Sequence, residues 1–206
     1  MKKRLLYICL TFVMCFMTVT PVLAAPLELD EAAKSNYYAE YLEIVEEINQ
    51  KMDTDVSVKP IQEFSADDWM TPAEFRTLVA AVADWKIVCT DSASNHISDN
   101  RSLPDAIATK SDTITVDGRK YTISVTGKFD TMLLNGRQVF DGIVGISSES
   151  STQNTKWRQT GYTSSLIDSR RTYSITVSGT FTVAGAVFPN KLVDVDFYCD
   201  AYGNVS

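Results

Sequence analysis

Tyr121-Thr-Ile-Ser-Val-Thr-Gly-Lys-Phe129 has a close counterpart later in the chain, Tyr173-Ser-Ile-Thr-Val-Ser-Gly-Thr-Phe181. The Tyr, Ile, Val, Gly and Phe positions are identical, and three of the intervening positions exchange Ser with Thr. Because successive side chains of a strand point to opposite faces, the identical residues line one face and the hydroxyls the other. We therefore predict an internal repeat of two similar strands, the alternative being a chance likeness between two β-rich segments.

Turn signals place each copy in the middle of three strands. Asp117-Gly118 and Asn135-Gly136, which favour tight hairpins, flank the first copy. Turns near Asp168-Ser169 and at Pro189-Asn190 are predicted to flank the second. The predicted strands cover residues 114–116, 120–134, 138–147, 157–167, 172–187 and 192–200. They form two similar three-stranded meanders, lying side by side or face to face.

Both copies carry a glycine on the apolar face, at Gly127 and Gly179. A glycine there weakens a strand unless another group packs against it or the sheet bends. We therefore expect packing or bending at these two positions.

Two amphipathic helices are predicted before the β region. The first spans residues 30–52 with Asp30 as its N-cap. The second begins at Thr71-Pro72-Ala73-Glu74, a capping box with proline in the first turn. Its apolar stripe extends to Cys89, which predicts a sulfur that points toward the core.

These patterns predict an α+β fold in which two N-terminal amphipathic helices pack on a six-stranded antiparallel β region. We expect a signal peptide over residues 1–24, a helical region with a polar loop over 25–111, and the β region over 112–206. The last two parts form a single globular domain, because each helix has one apolar stripe that must be buried against the sheet.

Residues 1–24 have the pattern of a signal peptide. Lys2, Lys3 and Arg4 precede an uncharged, almost wholly apolar run over residues 5–19, and small residues surround Ala24. This run is shorter than the about 20 residues of a transmembrane helix. We expect cleavage after Ala24, an uncleaved anchor being the alternative, and therefore no stable membrane insertion of the mature protein.

Charge excludes two classes of partner. The chain has 19 Lys and Arg against 26 Asp and Glu, and residues 1–24 carry three of the basic ones, which leaves a net charge near −10. Nucleic acids and anionic membranes require a basic surface. We therefore expect neither as a partner.

The mature chain keeps two cysteines, Cys89 and Cys199. Two cysteines in an exported protein usually pair. Strand alternation also points Cys199 inward, so we predict a Cys89–Cys199 disulfide. The alternative is a thiol enzyme in which His96 activates Cys89.

Catalytic and metal-binding patterns are weak. His96 is the single histidine, so a multi-histidine zinc site is excluded. Phosphate-binding glycine motifs and the nucleophile elbow are absent from the sequence. We therefore predict no catalytic residues, no metal and no cofactor. The oxygen-bearing residues of the 91–111 segment (Asp91, Asn95, Asp99, Asn100, Asp105) do not have EF-hand spacing and favour a solvated loop.

Two further groups are weighed as binding residues. Asp194, Asp196 and Asp200 could hold a cation, but edge-strand charges that discourage aggregation are the simpler interpretation. A second group could stack on a sugar, although packing at the core and rim is the simpler interpretation; it comprises Trp157, Tyr162, Tyr198 and Tyr202.

The leading functional hypothesis is a non-catalytic binding module of the cell envelope or extracellular space, with a protein or a glycan as its partner. The runner-up is a small secreted hydrolase that uses the His96 loop. A short signal peptide followed by helices and a Ser/Thr-rich β region resembles the arrangement in small proteins that Gram-positive bacteria secrete. This resemblance implies a bacterial, secreted location and supplies no functional residues.

Overall fold

The computed structural model describes residues 29–93 and 106–206, and it has the predicted α+β fold. The predicted signal peptide lies outside these ranges. Two helices, α1 (Glu31–Met52) and α2 (Pro72–Asp84), precede most of the strands. Two short 3-10 helices, Ile61–Glu63 and Ala66–Asp68, connect them. The strands are β1 (Ser57–Val58), β2 (Ile87–Cys89), β3 (Asp91–Ala93), β4 (Ala106–Val116), β5 (Arg119–Leu134), β6 (Arg137–Ser150), β7 (Thr155–Ile167), β8 (Thr172–Val183) and β9 (Ala186–Tyr198).

The six long strands form the two predicted meanders. Sheet B has the order β3-β4-β5-β6, and sheet A has the order β1-β9-β8-β7, with β2 also paired to β9. The long strands pair antiparallel throughout, while the short β2 runs parallel to β9. The two repeat copies are the middle strands of the meanders, β5 in sheet B and β8 in sheet A.

The meanders lie face to face. Phe129 of β5 stacks on Tyr173 of β8 with ring centroids 5.5 Å apart, and it also contacts Phe197 of β9 at 5.0 Å. Phe140 of β6 contacts Tyr173 at 4.9 Å. These rings join both sheets in one hydrophobic core, which also includes buried residues of both helices.

Each repeat glycine lies beneath an aromatic ring, as the sequence pattern requires. A Cβ atom at Gly127 would overlap the ring of Phe129, two residues later in the same strand. A Cβ atom at Gly179 would overlap the indole of Trp157, which comes from the adjacent strand β7. The register also shifts after both glycines, so packing and local bending occur together.

Both helices begin where the sequence predicts. The Asp30 carboxylate accepts the Ala33 amide at 2.7 Å. Thr71 Oγ1 accepts the Glu74 amide, and Glu74 Oε2 accepts the Thr71 amide, which completes the capping box. Among the residues that the structure describes, no helix is long and apolar enough to cross a membrane.

Helix α2 ends earlier than its apolar stripe suggests. Lys191 of β9 donates its ammonium to the carbonyl oxygens of Val82 and Trp85, both at 2.8 Å, and more distantly to that of Ala83. These carbonyl groups belong to the last turn of the helix, which cations stabilise. Cys89 therefore lies in β2, not in the helix, and strand alternation buries it.

The predicted turn at Pro189-Asn190 is wrong. The chain reverses at Ala184-Gly185, where both residues have positive φ. Pro189 and Asn190 lie within β9, where the register shift sets these two residues opposite one residue of β8. The turn-forming pair thus makes a β-bulge, which tolerates proline inside a sheet.

Strand β4 is longer than predicted and begins at Ala106, inside the segment assigned to a polar loop. Its outward hydroxyls pair across the sheet, with Thr109 Oγ1 2.8 Å from Thr126 Oγ1 of β5. Pairing with the long β5 extends β4 although its inner face carries Lys110 and Asp112. The β region therefore reaches across the predicted boundary at residue 112.

Candidate functional site

The outer face of sheet A is an exposed polar surface of the β region. Its three long strands present hydroxyls and carboxylates in register, with Thr163 opposite Thr176 and Thr176 opposite Asp194. The next row places Ser174 opposite Asp196. We call this surface face A; it comprises Thr163, Ser165, Ile167, Ser174, Thr176, Asp194, Asp196 and Tyr198.

The side chains of face A are available to a ligand. Asp194, Asp196 and Tyr198 are all exposed, and Tyr198 is 42% exposed. Thr176 Oγ1 donates to Asp194 Oδ1 at 2.6 Å, which orients that carboxylate on the sheet. The face thus offers fixed acceptors beside an accessible ring.

Sheet B has a corresponding outer face, which we call face B. It comprises Thr109, Ser111, Thr113, Thr122, Ser124, Thr126, Ser147 and Glu149. Ser124, the repeat equivalent of Thr176, lies opposite Glu149 of β6, so Glu149 occupies the position that Asp194 has in sheet A. Face B has the hydroxyls and one carboxylate but no exposed aromatic ring at the position of Tyr198.

The four aromatic residues considered for sugar stacking do not form one platform. Trp157 covers Gly179 on the inner face, and its indole donates to Ser148 Oγ at 2.6 Å. Tyr162 lies on β7 and Tyr202 in the C-terminal turn, at 83% exposure. Tyr198 alone of the four lies on face A.

The three aspartates near the C-terminus also separate. Asp194 and Asp196 share face A, but Asp200 organises the following turn. Its carboxylate accepts the amides of Tyr202 and Asn204 at 2.8 and 2.9 Å. Burial alone would raise the pKa of Asp200, but these hydrogen bonds outweigh it and hold the pKa below its usual range.

The predicted Cys89–Cys199 disulfide is not formed. Both cysteines are buried, as their strand positions predict, but Cys89 lies opposite Val195 on β9. Cys199 directly follows the end of β9 and is four residues beyond Val195, about 13 Å at the rise of a β-strand. A disulfide requires Cα atoms within about 7 Å. The two cysteines are therefore buried in the same core but too far apart along β9 to pair.

His96 and the oxygen-bearing residues Asn95, Asp99, Asn100 and Asp105 lie outside the described residues. The His96 hydrolase therefore stays a prediction. Cys89 is 2% exposed, and its thiol lies 3.7 Å from the carbonyl oxygen of Ile123, a position that does not favour attack on a substrate. Within residues 29–93 and 106–206, no three His, Cys, Asp or Glu side chains converge on a metal position.

A cleft of about 240 Å³ lies between the two helices. It is lined by Glu40, Glu43, Ile44, Pro72, Ala73 and Arg76. Arg76 already pairs with Glu47, and the cleft is smaller than the about 300–1,000 Å³ of typical ligand pockets. It does not favour a small-molecule site.

The sequence pattern identified Asp194, Asp196 and Tyr198 as outward residues, but it missed the contribution of β7. Thr163, Ser165 and Ile167 join face A because they lie opposite the outward residues of β8. The register between β7 and β8 determines which residues of β7 share this face, and the alternation within a single strand does not specify that register.

No family model, curated protein or solved structure matches the chain.

Proposed function

We propose that this chain is a non-catalytic binding module of the cell envelope or extracellular space, and that face A holds a surface glycan. The observation that carries the proposal is the row of exposed hydroxyls and carboxylates on face A beside the accessible ring of Tyr198. The acidic charge and the predicted export are consistent with this location.

The chemistry of face A suits a polymer of sugars. Carboxylates such as Asp194 and Asp196 accept hydrogen bonds from sugar hydroxyls, and Ser and Thr hydroxyls both donate and accept. The Tyr198 ring supplies an apolar surface for the C–H face of a sugar. An open sheet surface can contact several residues of an extended chain at once, whereas a small molecule requires a concave pocket.

Retention on insoluble polysaccharides tests this function. We expect the chain beginning at Ala25 to bind at least one member of a panel of cellulose, chitin, xylan and cell-wall peptidoglycan. Hydrogen bonds to charged groups contribute about 1.5–3 kcal/mol, so Asp194→Asn is expected to weaken binding about tenfold or more. Tyr198→Ala removes the apolar surface on which a sugar ring would pack, and it should also weaken binding about tenfold.

Glu149→Gln is the matched control, because Glu149 has the strand position of Asp194 on the opposite face. It should leave retention unchanged. Absence of retention on the whole panel, or equal loss in Asp194→Asn and Glu149→Gln, would contradict glycan binding by face A. Capture of a protein by face A with no polysaccharide retained would support the protein partner in its place.

A further inference from the structure

Strand β2 adds an apolar side chain beside face A. It runs parallel to β9 with Val88 opposite Asp194, and the flanking Ile87 and Cys89 are buried. Because side chains alternate along a strand, Val88 lies on the same side of the sheet as Asp194, and it is exposed. Tyr198 is four residues further along β9 on that side. The Asp194 carboxylate therefore has an accessible aliphatic group beside it and an accessible ring nearby.

The two carboxylates of face A have no cationic partner in the described part of the chain. Asp194 Oδ1 accepts the Thr176 hydroxyl at 2.6 Å, and none of the described residues donates to its Oδ2. The Asp196 side chain forms neither a hydrogen bond nor an ion pair with these residues. Both groups are therefore available to a cation from outside the chain.

The basic residues on this side of sheet A do not neutralise them. Arg158 of β7 lies opposite Thr180, four residues along β8 from the partner of Asp194, or about 13 Å. That distance exceeds the screening length of about 8 Å at physiological ionic strength. Lys86, just before β2, is exposed and forms no ion pair with Asp194 or Asp196. Face A thus keeps two uncompensated negative charges.

These charges distinguish between classes of glycan. A neutral polymer would displace water from the carboxylates without supplying an opposite charge, which is costly. An anionic polymer would bring further negative charge to a chain with 26 acidic and 19 basic residues. An ammonium group supplies the opposite charge and three hydrogen-bond donors. A sugar with a free amino group therefore fits face A better than a neutral or an acidic one.

We propose that the glycan of face A is an amino-sugar polymer with free amino groups, and that its ammonium group binds Asp194 while a sugar ring of the same chain packs on Tyr198. This inference rests on the proposed glycan-binding function and adds the chemical class of the polymer. Asp194 is the principal partner, because Thr176 orients it and Val88 lies beside it. Asp196, about 7 Å further along β9, adds a second negative charge.

Calorimetric titration with two matched oligosaccharides tests the proposal. Oligomers of glucosamine and of N-acetylglucosamine with the same length and linkage differ only in their acetyl groups. At a pH where the amine is protonated and Asp194 is ionised, the chain beginning at Ala25 should bind the glucosamine oligomer about tenfold or more tightly. Asp194→Asn should remove most of this preference. Tyr198→Ala should weaken the binding of both oligomers alike, since ring packing does not involve the amine.

Two controls separate a specific contact from general attraction to an acidic protein. Glu149→Gln removes the same charge from the corresponding position of sheet B, and it should leave the preference unchanged. Polylysine has ammonium groups but no sugar ring, so Tyr198→Ala should not affect its binding. Equal loss of the preference in Asp194→Asn and Glu149→Gln would overturn the proposal.

The outcomes also separate this proposal from the proposed function. Equal binding of the two oligomers, or no binding of the glucosamine oligomer, would contradict the amino-sugar class. Retention on a member of the polysaccharide panel, lost in Tyr198→Ala, would still support glycan binding by face A in that case. Absence of binding to both oligomers and to the whole panel would refute both proposals.

Discussion

The two meanders share a motif but use it differently. In sheet B the ring over Gly127 comes from Phe129 of the same strand, whereas in sheet A the ring over Gly179 comes from Trp157 of the adjacent strand. Phe129 is fully buried among aromatic rings of both sheets, while Trp157 is partly buried. Both copies of the repeat therefore have an aromatic ring over the glycine, but the ring comes from the same strand in one copy and from the adjacent strand in the other.

The residues opposite the two glycines differ even more. Ile146 of β6 lies opposite Gly127, and Lys191 of β9 lies opposite Gly179. Ile146 packs on the core of the sandwich, whereas the Lys191 ammonium binds the end of α2. Equivalent positions of the two meanders thus carry different residues, and the lysine in the second meander connects β9 to the end of α2.

Truncation of the two rings gives the largest expected contrast. Phe129→Ala should lower the free energy of unfolding by about 4 kcal/mol, because it leaves a cavity at the centre of the core. Trp157→Ala should cost about 2 kcal/mol, since the partly exposed indole buries less apolar area. Urea denaturation of both variants measures the difference. Equal losses would show that the two glycine contacts contribute equally to the core.

Alanine at each repeat glycine tests the contact with its aromatic ring directly. Gly127→Ala should cost about 2–3 kcal/mol, because Phe129 has no room to move. Gly179→Ala should cost about 1 kcal/mol, since Trp157 can tilt toward solvent. Gly145→Ala is the control: its added Cβ meets no atom within 4 Å, so its stability should be unchanged or slightly higher. A Gly127→Ala variant as stable as Gly145→Ala would refute the close contact.

Substitutions of Lys191 and Ile146, which lie opposite the two glycines, should have the next largest effects on stability. Lys191→Met removes a charged donor from three carbonyl groups and should cost about 2 kcal/mol. Ile146→Met keeps the volume and should cost less than about 1 kcal/mol. Hydrogen exchange in the last turn of α2 should rise in the Lys191 variant only. Unchanged exchange there would mean that the contact does not hold the helix end.

The smallest effect concerns Tyr121 and Tyr173, the first residues of the two copies. Burial raises the pKa of both phenols above the value of about 10 that they have in an unfolded chain. The unfolded state therefore loses these protons first, so stability falls as the pH rises above about 10 toward the folded-state pKa values. Tyr121→Phe and Tyr173→Phe should each make this fall shallower in denaturation series from pH 8 to 11. A fall that stays equally steep in both variants would assign it to other groups.

Local patterns predicted the fold where one segment contained the whole signal. The capping box at Thr71, the N-cap at Asp30 and the turns at Asp117-Gly118 and Asn135-Gly136 all form as expected. The alternation of the repeat placed its apolar face correctly. These features depend on hydrogen bonds and strand geometry within a few residues.

The errors arose where a distant partner decides the outcome. Pro189-Asn190 has the composition of a turn, but β8 pairs with the residues before and after it, so it forms a bulge within β9. The apolar stripe of α2 extends to Cys89, but the helix ends at Asp84, where Lys191 binds its last carbonyl groups. The cysteines both point inward, yet the register of β2 on β9 keeps them apart. Face A could be predicted in part, because its β9 residues alternate clearly while the β7 residues depend on register.

We propose that the second meander presents the binding surface and that the first does not. Amide hydrogen exchange of the chain beginning at Ala25, with and without a soluble fragment of the retained polysaccharide, tests it most directly. We expect slower exchange in β7, β8 and β9 on addition of the fragment, with no change in β4, β5 and β6. Protection centred on β5 and β6, or on the helices, would contradict it.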